Sequence, residues 1–170
     1  MNSFDTNLEK NSANFVPLSP LSFISRVKDI YPNYESLIYG KRKYTWIETY
    51  KRCTKFASAL TKQGIKKGST VSIIAANTPE LFEAHYSIPM TGGVINTINT
   101  RLDAETIAYI LDHSDAQLLI TDTQFSPTMK KTLEIYGKKI PIIDIHDDQA
   151  QLKEGEGEKI GYWRYIAIYR

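Results

Sequence analysis

Three histidines, one cysteine and a late run of carboxylates are the residues of this 170-residue sequence whose types could support proton transfer, nucleophilic attack or metal binding. Cys53 would act as a nucleophile only as the thiolate, which needs a polar, cation-rich setting. It sits instead on the apolar face of a helical pattern and reads as an inert core residue. His85, His113 and His146 are too far apart for a local metal motif, and no cysteine joins them in a ligand pattern. His85 lies within a helical run and is read as packing there rather than carrying chemistry. Asp103 precedes an apolar-periodic stretch and is the N-cap of that helix, not a general base. Asp147 and Asp148, with Glu154, Glu156 and Glu158, resemble a solvated acidic loop without the fixed geometry of a divalent-ion site. The clusters Lys41-Arg42-Lys43 and Lys66-Lys67 lie beside turn signals and read as solvated loop charges. Trp46, Tyr50 and Phe56 have helical spacing and are expected in the core. No residue is nominated as catalytic or as a metal ligand, and cofactor-binding positions stay unassigned.

The elements that position these residues follow from local spacing. Ser19-Pro20 starts a helix whose apolar face is Phe23, Ile24, Val27, Ile30 and Tyr31, ending at Pro32-Asn33. Leu37-Ile38-Tyr39 and Tyr44, joined through Gly40 to Lys43, predict a small β-hairpin. Thr45 and Glu48 have the spacing of a capping box for a helix over 45–63. Trp46, Tyr50, Cys53, Ala57 and Leu60 form its stripe and Gly64 closes it. A buried strand over 71–75 leads to a helix capped by Thr78, with Pro79 at its first position and Pro89 where it must end or kink. Gly92-Gly93 turns the chain into a strand near Val94-Ile95. A helix over 103–113 buries Ile107, Ile110 and Leu111; a strand over 117–121, a helix over 127–136 and a strand over 140–145 follow. Strands alternating with helices in this way predict an α/β domain with a mostly parallel sheet and flanking helices.

The sequence is 42% hydrophobic and 24% charged with a formal net charge of +2, the balance of an ordinary folded domain. Near-neutrality and short basic clusters argue against a nucleic-acid-binding stripe. One cysteine excludes an internal disulfide and fits a reducing compartment. Residues 1–16 are polar and mixed in charge, unlike a secretory or Arg-rich transit signal, and read as a flexible arm. No stretch reaches about 18 uninterrupted apolar residues, so no membrane span is expected. The expected location is cytoplasmic.

Two stretches narrow the fold further. Tyr44-Thr45-Trp46-Ile47-Glu48-Thr49-Tyr50 resembles the first conserved block of the adenylate-forming (AMP-binding) superfamily. Residues 88–102, with Pro89-Met90, Gly92-Gly93 and Asn99-Thr100-Arg101-Leu102, resemble the second, in the branch of AMP-forming acyl-CoA synthetases that activates short- to medium-chain fatty acids. Each motif is weak alone; their order and spacing carry the resemblance, which runs over about 18–159.

The resemblance implies the N-terminal subdomain of the adenylate-forming fold, here incomplete, and a fatty-acid–CoA ligase as the whole enzyme. Such an enzyme takes a fatty acid, ATP with Mg, and CoA. The family's Ser/Thr/Gly-rich phosphate loop with its lysine, whose backbone N–H groups and cation balance departing pyrophosphate, is not found in these residues. A P-loop and a Gly-x-Gly-x-x-Gly after a strand are also missing, and Gly155-Glu156-Gly157 is acidic. No cofactor is therefore expected in this chain by itself, and the chain alone is expected to be inactive. The organisation expected is an arm over 1–16, the subdomain over 17–160 and an atypical aromatic tail over 161–170, read as the mark of a truncated product ahead of the alternative, a short strand that pairs with the sheet edge. A sheet lacking its later strands is expected to self-associate through an uncovered edge. Two rival readings stand beside this one: a non-catalytic interaction module, and an unrelated doubly wound α/β domain binding a small ligand.

Overall fold

The computed structural model describes residues 9–13, 15–16 and 18–147. The expected tail over 161–170 and the carboxylates Asp148, Glu154, Glu156 and Glu158 lie outside the described residues.

Helix α1 (Pro20–Ile30) starts as its sequence dictates, with the Ser19 hydroxyl accepting from the Leu21 N–H at 3.3 Å. Its apolar face is only narrowly used. Ile24 is buried, while Phe23, Ile30 and Tyr31 are half exposed. Strands β1 (Glu35–Tyr39) and β2 (Arg42–Thr45) pair antiparallel as the expected hairpin, with Tyr39 opposite Arg42.

Helix α2 (Trp46–Lys62) opens on a complete capping box. The Thr45 hydroxyl accepts from the Glu48 N–H, and a Glu48 carboxylate oxygen accepts from the Thr45 N–H at 2.8 Å. Its buried stripe is Thr49, Cys53, Phe56, Ala57 and Leu60. Trp46 and Tyr50, expected in the core, lie beside the stripe and are partly exposed. Tyr50 instead carries the Lys28 ammonium 5.0 Å from its ring centre. Gly64, at φ +91°, ends the helix in a conformation only glycine takes without strain.

The main sheet is parallel throughout. Its strands are β3 (Thr70–Ile74), β4 (Val94–Thr97), β5 (Ala116–Asp122) and β6 (Ile142–Ile145), in the order β4-β3-β5-β6. Alternation along each strand sends side chains to two cores. Val71, Ile73, Leu118, Ile120, Ile143 and Ile145 meet Phe56 and Leu60 of α2, and Ala84 and Ile88 of α3 (Pro79–Met90). Ile74, Leu119 and Ile142 face the other way. They meet Ile107 and Leu111 of α4 (Ala104–His113), and Met129 of α5 (Ser126–Tyr136). Full burial of such side chains contributes roughly 1.5–3 kcal/mol each, so the two cores dominate stability.

Pro89 falls in the last turn of α3, and the helix stops one residue later at Met90. The turn into β4 is tight: Gly92 has φ +79° and its carbonyl accepts from the Gly68 N–H at 3.0 Å. A side chain there would meet Lys67 Cα at 3.1 Å.

Candidate functional site

The strand order reverses between β3 and β5: the chain leaves β3 toward β4 on one side and returns through β5 to β6 on the other. In open α/β sheets the crevice beyond the carboxyl ends of the strands at such a reversal is the usual ligand site. Three carboxylates gather at this end. Glu80 lies in the first turn of α3, just after β3; Asp122 ends β5; Asp147 follows β6. All three are buried.

The hairpin lies across them. The Tyr39 hydroxyl donates to Asp147 at 2.6 Å, and Arg42 donates to Glu80 at 3.0 Å while its other terminal nitrogen stands 3.7 Å from Asp147. Arg42 also stacks on the Tyr39 ring, 4.9 Å from its centre. A second pair locks α2 to α3: Arg52 holds Glu83 through both of its carboxylate oxygens, and the Nη2 that donates to Glu83 also lies 3.9 Å from Glu80. Glu83 is fully buried, its helix face shared with Ala84, Ser87 and Ile88. A buried carboxylate without a cation would be costly, and these guanidiniums answer it.

Two sequence readings are corrected by this arrangement. Arg42 is not a solvated loop charge, and Asp147 does not belong to a solvated acidic loop; each is half-buried or buried because the other folds onto it. Lys41, Lys43, Lys66 and Lys67 are exposed as expected, with Lys43 bonded to Glu35 at 2.8 Å. Glu80 and Glu83 were not singled out from sequence. Their signal was present: two acidic residues three apart on the face that also carries Ala84, Ser87 and Ile88 require buried cationic partners.

The electrostatics favour structure over chemistry. Burial foremost, then the Asp147 carboxylate, pushes the Tyr39 phenol up to about 12, so it remains a proton donor at neutral pH. Burial also raises the Asp122 carboxyl, against the hydrogen bonds it accepts from Gln124. Burial pushes the Cys53 thiol up to about 12, which keeps it out of the thiolate form, in keeping with an inert core residue.

The histidines stand on three separate elements. His85 is exposed on α3, its Nδ1 2.8 Å from the Leu81 carbonyl oxygen, and so does not pack in the core. Rather, it sits in the wall of a groove of about 760 Å³ between β1 and α3, beside Leu37, Ile38, Phe82, Tyr86 and Ile95. His113, at the end of α4, stacks on Tyr109 with 5.5 Å between ring centres. His146 is partly buried next to Asp147. Asp103 caps α4, accepting from the Thr106 N–H at 2.8 Å. Among the described residues no three His, Cys, Asp or Glu form a group that could hold a metal ion, and no helix is long and apolar enough to cross a membrane.

A nucleotide triphosphate with its metal would need cations and open carboxylates here. Arg42 and Arg52 are already committed to Glu80, Asp147 and Glu83.

Comparison with known proteins agrees with the topology. The family model described as AMP-binding enzyme matches residues 25–162. An acetate–CoA ligase of Humulus lupulus is 45% identical over 133 residues, 78% of this chain and 23% of the relative. A peroxisomal butyrate–CoA ligase of Arabidopsis thaliana is 46% identical over 129 residues, 76% and 23% of the two chains, and a peroxisomal trans-cinnamate:CoA ligase of Petunia hybrida is 47% identical over 128, 75% and 22%. The chain thus spans a little under a quarter of the length of these relatives. Among solved structures, an anthranilate–CoA ligase in complex with anthranoyl-AMP superposes with a TM-score of 0.77 over 94% of this chain and 30% of its own, at 20% identity. The o-succinylbenzoate–CoA synthetase of Bacillus subtilis gives 0.63 over 72% and 30%, at 24% identity. These two speak for the fold alone. A parallel four-stranded sheet with helices on both faces, the order of its elements and the family match over most of its length place this chain in the AMP-binding enzyme family.

Proposed function

We propose that the chain forms part of an AMP-forming carboxylic acid–CoA ligase. The net reaction converts a carboxylate, ATP and the CoA thiol into an acyl thioester, AMP and pyrophosphate. The observation that carries this reading is the 41–47% identity to several named CoA ligases over three-quarters or more of the chain. That identity is nearly the same for ligases named for acetate, butyrate, benzoate and cinnamate. The identities therefore favour none of these acids over another, and a short- to medium-chain fatty acid is our choice of substrate.

Within that enzyme the described region serves as scaffold. Its buried carboxylates are engaged by Arg42, Arg52, Tyr39 and Gln124, leaving them for holding elements together rather than for proton transfer. We infer that these 170 residues alone do not form acyl-adenylate, because the sequence carries no phosphate loop to stabilise pyrophosphate as it leaves and, among the described residues, Arg42 and Arg52 at the sheet's carboxyl end are already paired with carboxylates. The test is pyrophosphate release by the purified chain with ATP, Mg and butyrate. None above background is expected; release dependent on both ATP and acid would overturn this reading. A cytosolic location remains our proposal beside the peroxisomal address in several relatives' names, and imaging of the tagged protein decides between the two.

A further inference from the structure

Charge is divided unevenly along this chain. From Thr49 to Pro79 there are six basic residues and no acidic one, leaving fifteen basic against nineteen acidic elsewhere. Helix α2 carries most of that excess. Its exposed residues are Glu48, Lys51, Lys55, Ser58, Thr61 and Lys62, and Lys66 and Lys67, also exposed, follow just past Gly64. At 3.6 residues per turn, Lys51, Lys55, Ser58 and Lys62 fall within about 60° of arc along roughly 16 Å of helix, a single straight stripe. Arg52 is turned the other way, inward to Glu83. Among the described residues Lys51, Lys55, Lys66 and Lys67 form no ion pair. The one carboxylate of α2, Glu48, is bonded to the Thr45 N–H and hydroxyl, with Lys51 a lesser influence on it. Exposed helices are normally stabilised by opposite charges at i and i+4, where like charges repel; Lys51 and Lys55 stand at that spacing. The helix dipole accounts for Lys62 in the last turn and not for those two.

We propose that the outer face of α2, extended by Lys66 and Lys67, is a docking surface for an anionic lipid bilayer. The proposal goes beyond the ligase reading and does not depend on it. Lysine ammoniums are compact, strongly hydrated point charges, suited to a diffuse field of headgroup phosphates and carboxylates more than to one bidentate contact. A cluster of about four to eight basic side chains on a helix is the usual size of such a surface. A protein partner fits less well. Interface centres are depleted of lysine and enriched in aromatic side chains and arginine, and the exposed residues of α2 include neither of the latter. The same lack of aromatic platforms and of arginine disfavours nucleic acid, whose bases are held by stacking or by bidentate contacts. No described helix is long and apolar enough to cross a membrane, so the contact is peripheral. Being electrostatic, it weakens as salt screens it.

The test is flotation of the purified 170-residue chain with phosphatidylcholine–phosphatidylserine vesicles and with vesicles of phosphatidylcholine alone, in low and in high potassium chloride. Binding to the anionic vesicles alone, lost in high salt, is expected. Each lysine close to such a surface contributes about fivefold in affinity, so Lys51→Gln with Lys55→Gln should weaken binding on the order of thirtyfold. Lys51→Arg with Lys55→Arg keeps the charge and should bind as the wild type does. Lys130→Gln with Lys131→Gln removes as much exposed charge from α5 and should weaken binding less than about threefold, since those lysines lie off the stripe. All four lysines face water, so every variant should keep its melting midpoint within about 2 °C. Equal binding to neutral vesicles, equal losses from the α2 and α5 pairs, or no loss from the α2 pair would overturn the proposal. So would tighter binding to an RNA or DNA oligonucleotide that the α2 pair abolishes, since nucleic acid would then be the partner.

Discussion

At the scale of the residue, the charges that matter most are those the fold conceals. Glu83 is fully buried and both its oxygens are held by Arg52. Removing the guanidinium by Arg52→Ala takes the cation from a buried carboxylate, a change that typically costs about 3–5 kcal/mol. We expect a loss of that order in urea unfolding, with Arg52→Lys recovering only part of it, since an ammonium cannot match both oxygens. A loss under about 1 kcal/mol would mean that water reaches Glu83. The Thr45 cap is a smaller contribution on the surface. Thr45→Ala should cost about 1 kcal/mol. Glu48, in the same box, has its carboxyl held below the usual range first by the Thr45 backbone N–H and then by the Thr45 hydroxyl. A depressed carboxyl stabilises the fold above its unfolded value and loses that contribution as pH falls through the folded one. The stability difference between wild type and Glu48→Gln should therefore be present at pH 7 and shrink toward pH 3. A difference that does not change with pH would exclude the hydrogen-bonded carboxylate as its source.

At the scale of the element, the turn between α3 and β4 is the most constrained connection. Gly92 combines φ +79° with the approach of the Lys67 backbone, and Gly93 leaves a side chain only 3.1 Å from the Ser69 carbonyl oxygen. Gly92→Ala meets both the wrong backbone region and a close neighbour, and should destabilise by more than about 1 kcal/mol. Because this turn sets the start of β4 beside β3, the same substitution should speed hydrogen exchange at the Val94 and Ile98 amides, which donate to Ser69 and Ile73. Protection left intact in a destabilised variant would place the strain elsewhere. The helices were legible from sequence at this scale: Ser19, Thr45, Thr78 and Asp103 each cap the helix their position implies. Trp46 and Tyr50 were misplaced, because a helical stripe read from hydrophobicity alone cannot tell Thr49 inside from Tyr50 beside it.

At the scale of the whole molecule, β4 and β6 are the outer strands of the described sheet, and Val94 at the start of β4 is 53% exposed. Unpaired edges recruit other chains. We expect the isolated chain to self-associate at tens of micromolar and Val94→Lys to disperse it, as followed by light scattering. A monomer at all concentrations would show that the edge is protected.

The succession of strands and helices, their caps, the parallel α/β class and the family could all be read from the chain's residues alone. Each of these is written in neighbours: a cap spans three residues, a helix face four, a strand face two. Which charges are buried, and what they hold, emerges only once the chain is folded. Tyr39 reaches Asp147 across 108 positions, Arg52 meets Glu83 across 31, and Arg42 meets Glu80 across 38. No local pattern separates Arg42 from exposed Lys41 and Lys43, or marks Asp147 as buried. Those assignments arise when the sheet's order reverses between β3 and β5 and the hairpin comes to rest over the ends of its strands, where a carboxylate leaves water only if a cation or a hydroxyl is already waiting.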